Sequence, residues 1–210
     1  TLDFLNQYDN PSYESIRRSF AYWDDVDVHY QGQALRCAGN GFCGCSRLTL
    51  LQLLYQRAED LGVVLHFEHE VTDPSAFSDS DLIVAADGAN SVVRDKHKQH
   101  FGTEIELRQN YFCWLGSTRP LDAFKYFFRK AEQGIVVMHA YQYEQGMSTW
   151  VCEMQPSTWH SLGLADKSEA ESAALMASIF AEELAGHALI TNRSVWRQFP
   201  MVRNRTWVKD

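Results

Sequence analysis

Leu50, Leu51, Leu54, Tyr55, Ala58 and Leu61 recur at the three- and four-residue spacing of one helix face, which predicts an α-helix from Arg47 to about Leu61. Ser46 stands at the capping position before it, and Gly62 where it must stop. Residues 63–71 then read as a strand. Residues 82–86 form an apolar run without alternation, the habit of a parallel strand covered on both faces.

From Leu107 onward the pattern is that of a second sheet, with strands at 111–118, 124–129, 135–143 and 147–154 and turns at Glu132-Gln-Gly134 and Glu144-Gln-Gly146. Links this short permit only antiparallel neighbours. Pro156 opens a short helical turn through Trp159 and His160. Ser168-Glu-Ala-Glu171 is a capping box that opens a long helix to Leu184, with Leu175, Met176, Ile179, Phe180 and Leu184 as its packing stripe. Residues 193–202 read as a last strand, confined by Pro200 to a sheet edge. Near the N-terminus, residues 15–22 read as a short helix and residues 26–36 as a strand pair turning at Gly32. The fold class is therefore α/β plus antiparallel β, with a boundary near Leu107.

The composition narrows the function classes. The 210 residues are 45% hydrophobic, enough for real cores, and carry a net charge of −8 without any basic run, which argues against nucleic acid as a partner. No apolar stretch approaches the ~20 residues needed to span a membrane, and no signal-peptide pattern opens the chain, so a cytoplasmic protein is expected. Five cysteines without a Cys-x-x-Cys pair argue against a disulfide framework or structural zinc. Cys43 and Cys45 are read as packed side chains or a redox pair. His66 and His69 fall on opposite faces of the expected strand, so no metal site is expected.

Candidate chemistry begins at Asp87-Gly88, where the apolar run 82–86 ends. Open parallel sheets bind ligands beyond the carboxyl ends of their strands. Asp87 offers two acceptor oxygens, Gly88 a backbone unhindered by a Cβ, and Ser91 a cap for a short helix that places Arg94 one turn along. An ordinary Asp-Gly turn after a core strand has the same appearance. Arg47 opposes the dipole in the first turn of its helix, which suits either a bound anion or a solvated side chain. Gly39-Asn-Gly-Phe-Cys-Gly44 lacks the G-x-G-x-x-G spacing and reads as a turn that lets backbone approach another segment or a ligand. His139, Tyr141 and Tyr143 alternate onto one strand face, as an aromatic-substrate pocket or as a solvated face.

The run Asp81-Leu-Ile-Val-Ala-Ala-Asp87-Gly88-Ala-Asn-Ser91-Val-Val-Arg94 resembles the Asp-Gly motif of the flavin-dependent aromatic hydroxylases, the single-component FAD monooxygenases. Ser46-Arg47-Leu-Thr-Leu50 is similar to the helix opening whose Arg contacts FAD in that family. Gly39 to Arg47, 111–118, His139-Ala-Tyr-Gln-Tyr143 and 147–153 resemble its salicylyl-CoA and aminobenzoyl-CoA hydroxylase branch.

The resemblance implies a partial FAD-binding domain of the PHBH-like kind in residues 1–106, joined to a mixed-sheet substrate domain in 107–210 with an antiparallel sheet and one long helix. It implies FAD with NADPH or NADH as cofactors, O₂ and an aromatic small molecule as partners, and Arg47, Val71, Asp87, Gly88 and Arg94 as cofactor-binding residues. His139, Tyr141 and Tyr143 are the candidates for the substrate pocket. No residue is singled out for acid/base catalysis, because the cofactor carries that chemistry. The family's G-x-G-x-x-G unit is missing and its Gly-Asp motif would fall beyond Asp210, so an interior fragment is expected. A flavin reductase or dehydrogenase of the same fold, and a tryptophan-type hydroxylase, are the alternatives.

Overall fold

The computed structural model describes residues 2–209. They divide into two compact units, the first running to Val64 and including Asn110–Arg197, the second formed by Leu65–Gln109 and the chain from Gln198. This interleaving differs from the single cut expected at Leu107.

The first unit opens with α1 (Leu2–Tyr8), α2 (Asn10–Arg18), β1 (Ala21–Trp23), β2 (Val26–Tyr30), β3 (Gln33–Cys37), β4 (Phe42–Gly44) and α3 (Arg47–Asp60). In the second lie α4 (Val92–Lys96), α5 (Lys98–Phe101) and β5 (Glu104–Leu107). The first resumes with β6 (Tyr111–Ser117), β7 (Phe124–Ala131), β8 (Gly134–Glu144), β9 (Met147–Met154), α6 (Pro156–Ser161), α7 (Glu169–Ile179), α8 (Ala181–Leu184) and β10 (Leu189–Ile190), and β11 (Pro200–Arg203) belongs to the second.

Seven strands form one mixed sheet in the order β10-β6-β9-β8-β7-β2-β3. All neighbours are antiparallel except β2 and β7, which pair in parallel from Val26 opposite Phe124 to Tyr30 opposite Phe128. That parallel pairing explains the unit boundary: the early hairpin of β2 and β3, with Gln31 and Gly32 at positive φ in its turn, joins the later sheet.

Alternation gives this sheet two distinct faces. One carries Cys113, Leu115, Phe127, Val136, Met138, Ala140, Trp150, Cys152 and Met154, all buried, against Met176 and Phe180. Each large side chain so buried stabilises the unit by roughly 1.5–3 kcal/mol before entropy is subtracted. Ser168 caps α7 in a complete capping box with Glu171. The expected long helix is interrupted at Phe180, whose backbone leaves helical geometry (φ −107°) while its ring is fully buried, and α8 follows.

Three expectations fail for one physical reason. Residues 63–71 and 82–86 form no ladder among the described residues, Glu68 breaks the first run at φ +55°, and Leu82 and Val84 are each 77% exposed. The α3 stripe is half-buried at best, with Leu54, Tyr55 and Leu61 exposed. Apolar periodicity marks which side chains can be buried, and a strand or stripe forms an interior only where a partner surface lies against it. In α3 the fixed point is polar: the Arg57 guanidinium pairs with Asp9 at 2.5 Å.

In the second unit β5 and β11 make a two-stranded ladder. The expected strand 193–202 forms only in its last part, with Pro200 as its first residue, where a missing N–H costs least. Upstream, Arg197 makes a single bridge to Phe112 in the first unit. Among the described residues no helix is long and apolar enough to cross a membrane, and no group of three or more His, Cys, Asp or Glu could hold a metal.

Candidate functional site

The Asp87-Gly88 turn is built by its own neighbours. Asp87 Oδ2 accepts the Val92 N–H at 2.8 Å, and Ser91 Oγ accepts the Arg94 N–H at 3.0 Å, so both side chains cap the first turn of α4. The Ser91 hydroxyl's hydrogen bond, with backbone N–H groups behind it, holds the Asp87 carboxyl below its ordinary value, and it is an anion at neutral pH. Gly88 sits at φ +80°, and a Cβ there would meet nothing within 4 Å. The backbone is open on that side, but its conformation favours glycine.

Arg94 faces back into this loop. Its guanidinium donates to Gly88 O at 3.3 Å and Ala89 O at 2.5 Å, while its buried Nε has no partner among the described residues. The residue is 7% exposed. Arg94 therefore braces the turn carrying Asp87 and Gly88. Val71 lies in the same unit, exposed, in the unpaired segment. Arg47 belongs to the other unit. It is exposed in the first turn of α3, and no hydrogen bond or ion pair engages its guanidinium among the described residues.

The Gly39–Gly44 turn is accounted for internally. The N–H groups of Gly39 and Gly41 both donate to the Asp24 carboxylate at 3.0 Å, so the chain's own anion fills the cradle.

The open face of the large sheet carries His139 and Tyr141 on β8. Opposite His139 on β7 is Tyr126, the Phe124 ring lies against Tyr141, and opposite the two on β9 are Val151 and Thr149. Tyr141 stacks between Trp23 (5.6 Å between ring centroids) and Phe124 (5.3 Å), and Tyr126 lies 4.8 Å from the His139 ring. Tyr143 lies at the irregularity between Gln142 and Glu144, and burial pushes its hydroxyl's pKa up. His139 Nε2 lies 3.0 Å from Glu153 Oε2, and Glu153 Oε1 accepts from Asn110 Nδ2 at 2.7 Å. Sequence reasoning missed Glu153, Asn110, Tyr126 and Phe124. The available signal was an acidic residue in the apolar second half of a strand, beside a strand bearing a histidine.

Over 99% of its length this chain is 32% identical to salicyloyl-CoA 5-hydroxylase of a Streptomyces species. Its homologues are aromatic-ring monooxygenases. The 3-hydroxy-4-methyl-anthranilyl-[aryl-carrier protein] 5-monooxygenase of Streptosporangium sibiricum is 35% identical over 92% of the chain, and the protodeoxyviolaceinate monooxygenase of Chromobacterium violaceum 30% over 82%. The chain spans 42%, 51% and 47% of these monooxygenases, about half their length. No family model matches it.

The fold is that of known monooxygenases as well. The tetrameric 2-methyl-3-hydroxypyridine-5-carboxylic acid oxygenase superposes with a TM-score of 0.69 at 15% identity, covering 98% of this chain and 59% of its own. The Pseudomonas aeruginosa protein pqsL, titled a probable FAD-dependent monooxygenase, gives 0.64 at 13% identity, covering 95% and 61%.

Proposed function

We propose that this chain supplies the Asp-Gly turn and the substrate face of an FAD- and NAD(P)H-dependent monooxygenase that hydroxylates an aromatic ring presented as an acyl thioester. The observation that carries this reading is the 32–35% identity, over more than nine-tenths of the chain, to two monooxygenases whose names specify aromatic acyl groups held on CoA or on a carrier protein.

Each unit, taken by itself, holds residues suited to part of a flavin dinucleotide. Asp87 is an ionised acceptor for sugar or ribityl hydroxyls, beside a glycine whose backbone is open to approach. Arg47 is an exposed cation suited to a phosphate or a polar ring edge. Val71 would contribute backbone and apolar contact, and Arg94 would keep the Asp-Gly turn in shape. When bound, FAD supplies the redox chemistry, taking electrons from a reduced nicotinamide and passing an oxygen atom of O₂ to the ring. The chain's own part is to hold that ring: Tyr141, Phe124, Tyr126 and Trp23 offer a half-buried aromatic surface on which a planar substrate stacks.

Flavin titration of the enzyme that contains this chain tests the cofactor half. Arg47→Ala and Asp87→Ala are each expected to weaken FAD binding roughly 10- to 150-fold, for a charge-assisted hydrogen bond of about 1.5–3 kcal/mol. Unchanged affinity in both variants would sink it. Oxygen uptake matched by hydroxylated product separates a monooxygenase from a flavin reductase or dehydrogenase of the same fold, which would yield hydrogen peroxide alone.

A further inference from the structure

We propose that His139, oriented by Glu153, is the base that takes the proton from a ring hydroxyl of the substrate, and that the substrate ring therefore carries such a hydroxyl. This rests on the function proposed above.

The inference begins with the hydrogen bonds around Glu153. Its carboxylate accepts from Asn110 Nδ2 on one oxygen and faces His139 Nε2 on the other, at 2.7 Å and 3.0 Å. A carboxylate only accepts, so the arrangement places the imidazole proton on Nε2. Nδ1 is left with a lone pair and makes no hydrogen bond among the described residues. The same carboxylate stands ready to stabilise an imidazolium once Nδ1 has taken a proton, the division of labour found wherever a carboxylate orients a catalytic histidine.

The surroundings keep the ring neutral in the resting state. Val151, directly across on β9, is buried, and the Tyr126 and Tyr141 rings occupy the neighbouring positions on β7 and β8. Burial holds the His139 pKa below its ordinary value, against the opposing pull of Glu153. The titratable groups facing it are Glu153 on β9, Tyr126 on β7 and Tyr141 on β8.

The step balances within the site. The ring O–H bond breaks, an Nδ1–H bond forms, and the electron pair stays on oxygen as a phenolate. The phenolate enriches the ring carbons in electron density, which is what an electrophilic oxygen donor requires. The proton leaves His139 to solvent or returns to the product hydroxyl.

The test uses the flavin-loaded enzyme with two probes, salicyloyl-CoA and its 2-methoxy ether, and reads ligand ionisation by absorbance as well as turnover. In the parent enzyme, bound salicyloyl-CoA should ionise at a lower pH than in free solution. In His139→Gln that midpoint should rise by about one pH unit or more, a tenfold effect on the ionisation equilibrium. Affinity for the ether, which has no proton to give, should change by less than about threefold, within the range of a weak exposed contact. Glu153→Gln, which keeps the side-chain volume, should shift the midpoint in the same direction by a smaller amount, and it carries the test if His139→Gln fails to fold. An unshifted midpoint in a folded variant overturns the proposal while leaving ring hydroxylation by the parent enzyme intact. Failure of the parent to bind either probe overturns it together with the acyl-thioester reading.

Discussion

Arg94 separates a residue that touches a ligand from one that holds the ligand's neighbours in place. Its guanidinium donates to two carbonyls of the Asp-Gly turn, and Arg94→Met removes both donors while keeping most of the side-chain volume. Gly88 and Ala89 are exposed, so water re-solvates their carbonyls and the full penalty for a buried orphan does not apply. The loss is then that of a charged hydrogen-bond pair, about 1.5–3 kcal/mol in the local opening of residues 87–93, or roughly 10- to 150-fold faster amide exchange there.

Hydrogen–deuterium exchange on a peptide spanning Asp87 to Val93 measures this directly. Ser91→Ala, which removes the cap on the Arg94 N–H, serves as the internal standard at about 0.5–2 kcal/mol. Exchange in Arg94→Met within twofold of the parent, with Ser91→Ala accelerated, would refute the brace and return Arg94 to the list of direct cofactor contacts.

Other consequences follow from single residues. A Cβ at Gly134, which has φ +131°, would lie 2.2 Å from Thr158 Oγ1, a buried hydroxyl that donates to Gln133 O. Gly134→Ala should cost about 2–5 kcal/mol in urea unfolding, and about 1–3 kcal/mol less in a Thr158→Ala background; equal costs in both would show that the two do not touch. Arg36 foremost, with Lys125, drives the Asp27 carboxyl far below the carboxylate range. A lowered folded-state pKa contributes stability that is full above the unfolded value of about 3.9 and is lost as pH falls below it, so Asp27→Asn should flatten the acid limb of the stability profile; parallel limbs would contradict this. Burial pushes the Cys113 thiol up to about 12 and that of Cys152 well above its ordinary value, whereas Cys37 is exposed. A thiol reagent should label Cys37 in the native protein, and Cys113 and Cys152 only after unfolding.

Local signals, hairpin pairing included, were legible, and long-range pairing was not. β7, β8 and β9 are joined by Gly-containing turns, so their hairpin order could be read off, and His139 and Tyr141 could be placed on one face of β8. The capping box at Ser168 and the cap at Ser91 are spacings of three residues and were equally plain. That Val26 would lie beside Phe124 is a contact nearly a hundred residues distant in sequence, and nothing in either run names its partner. The same limit hid the site. His139 was visible on its strand, but Glu153 reaches it only through the register that sets Val151 opposite His139, and Asn110 lies just before β6. Asp87 was read as a ligand for hydroxyls; the structure shows that one of its oxygens already caps α4, a duty compatible with the first because a carboxylate has several lone pairs to offer.

The two faces of the large sheet divide stability from chemistry, and the division can be measured. Trp150 and Met138 are fully buried on the core face, where Trp150→Ala should cost about 3–5 kcal/mol through lost transfer and cavity energy. His139 projects from the other face, and its contact with Glu153 is a part-buried hydrogen bond, worth about 0.5–1.5 kcal/mol. His139→Gln should therefore leave the unfolding midpoint nearly unchanged while altering the ionisation of a bound phenol. Opposite faces of one strand would then answer to different selection: neighbours such as Met138 and Ala140 fix the strand's place, and His139 between them is free to be chosen for its proton. A His139→Gln variant destabilised as much as Trp150→Ala would mean that the open face is part of the core after all, and that the histidine is there to be packed.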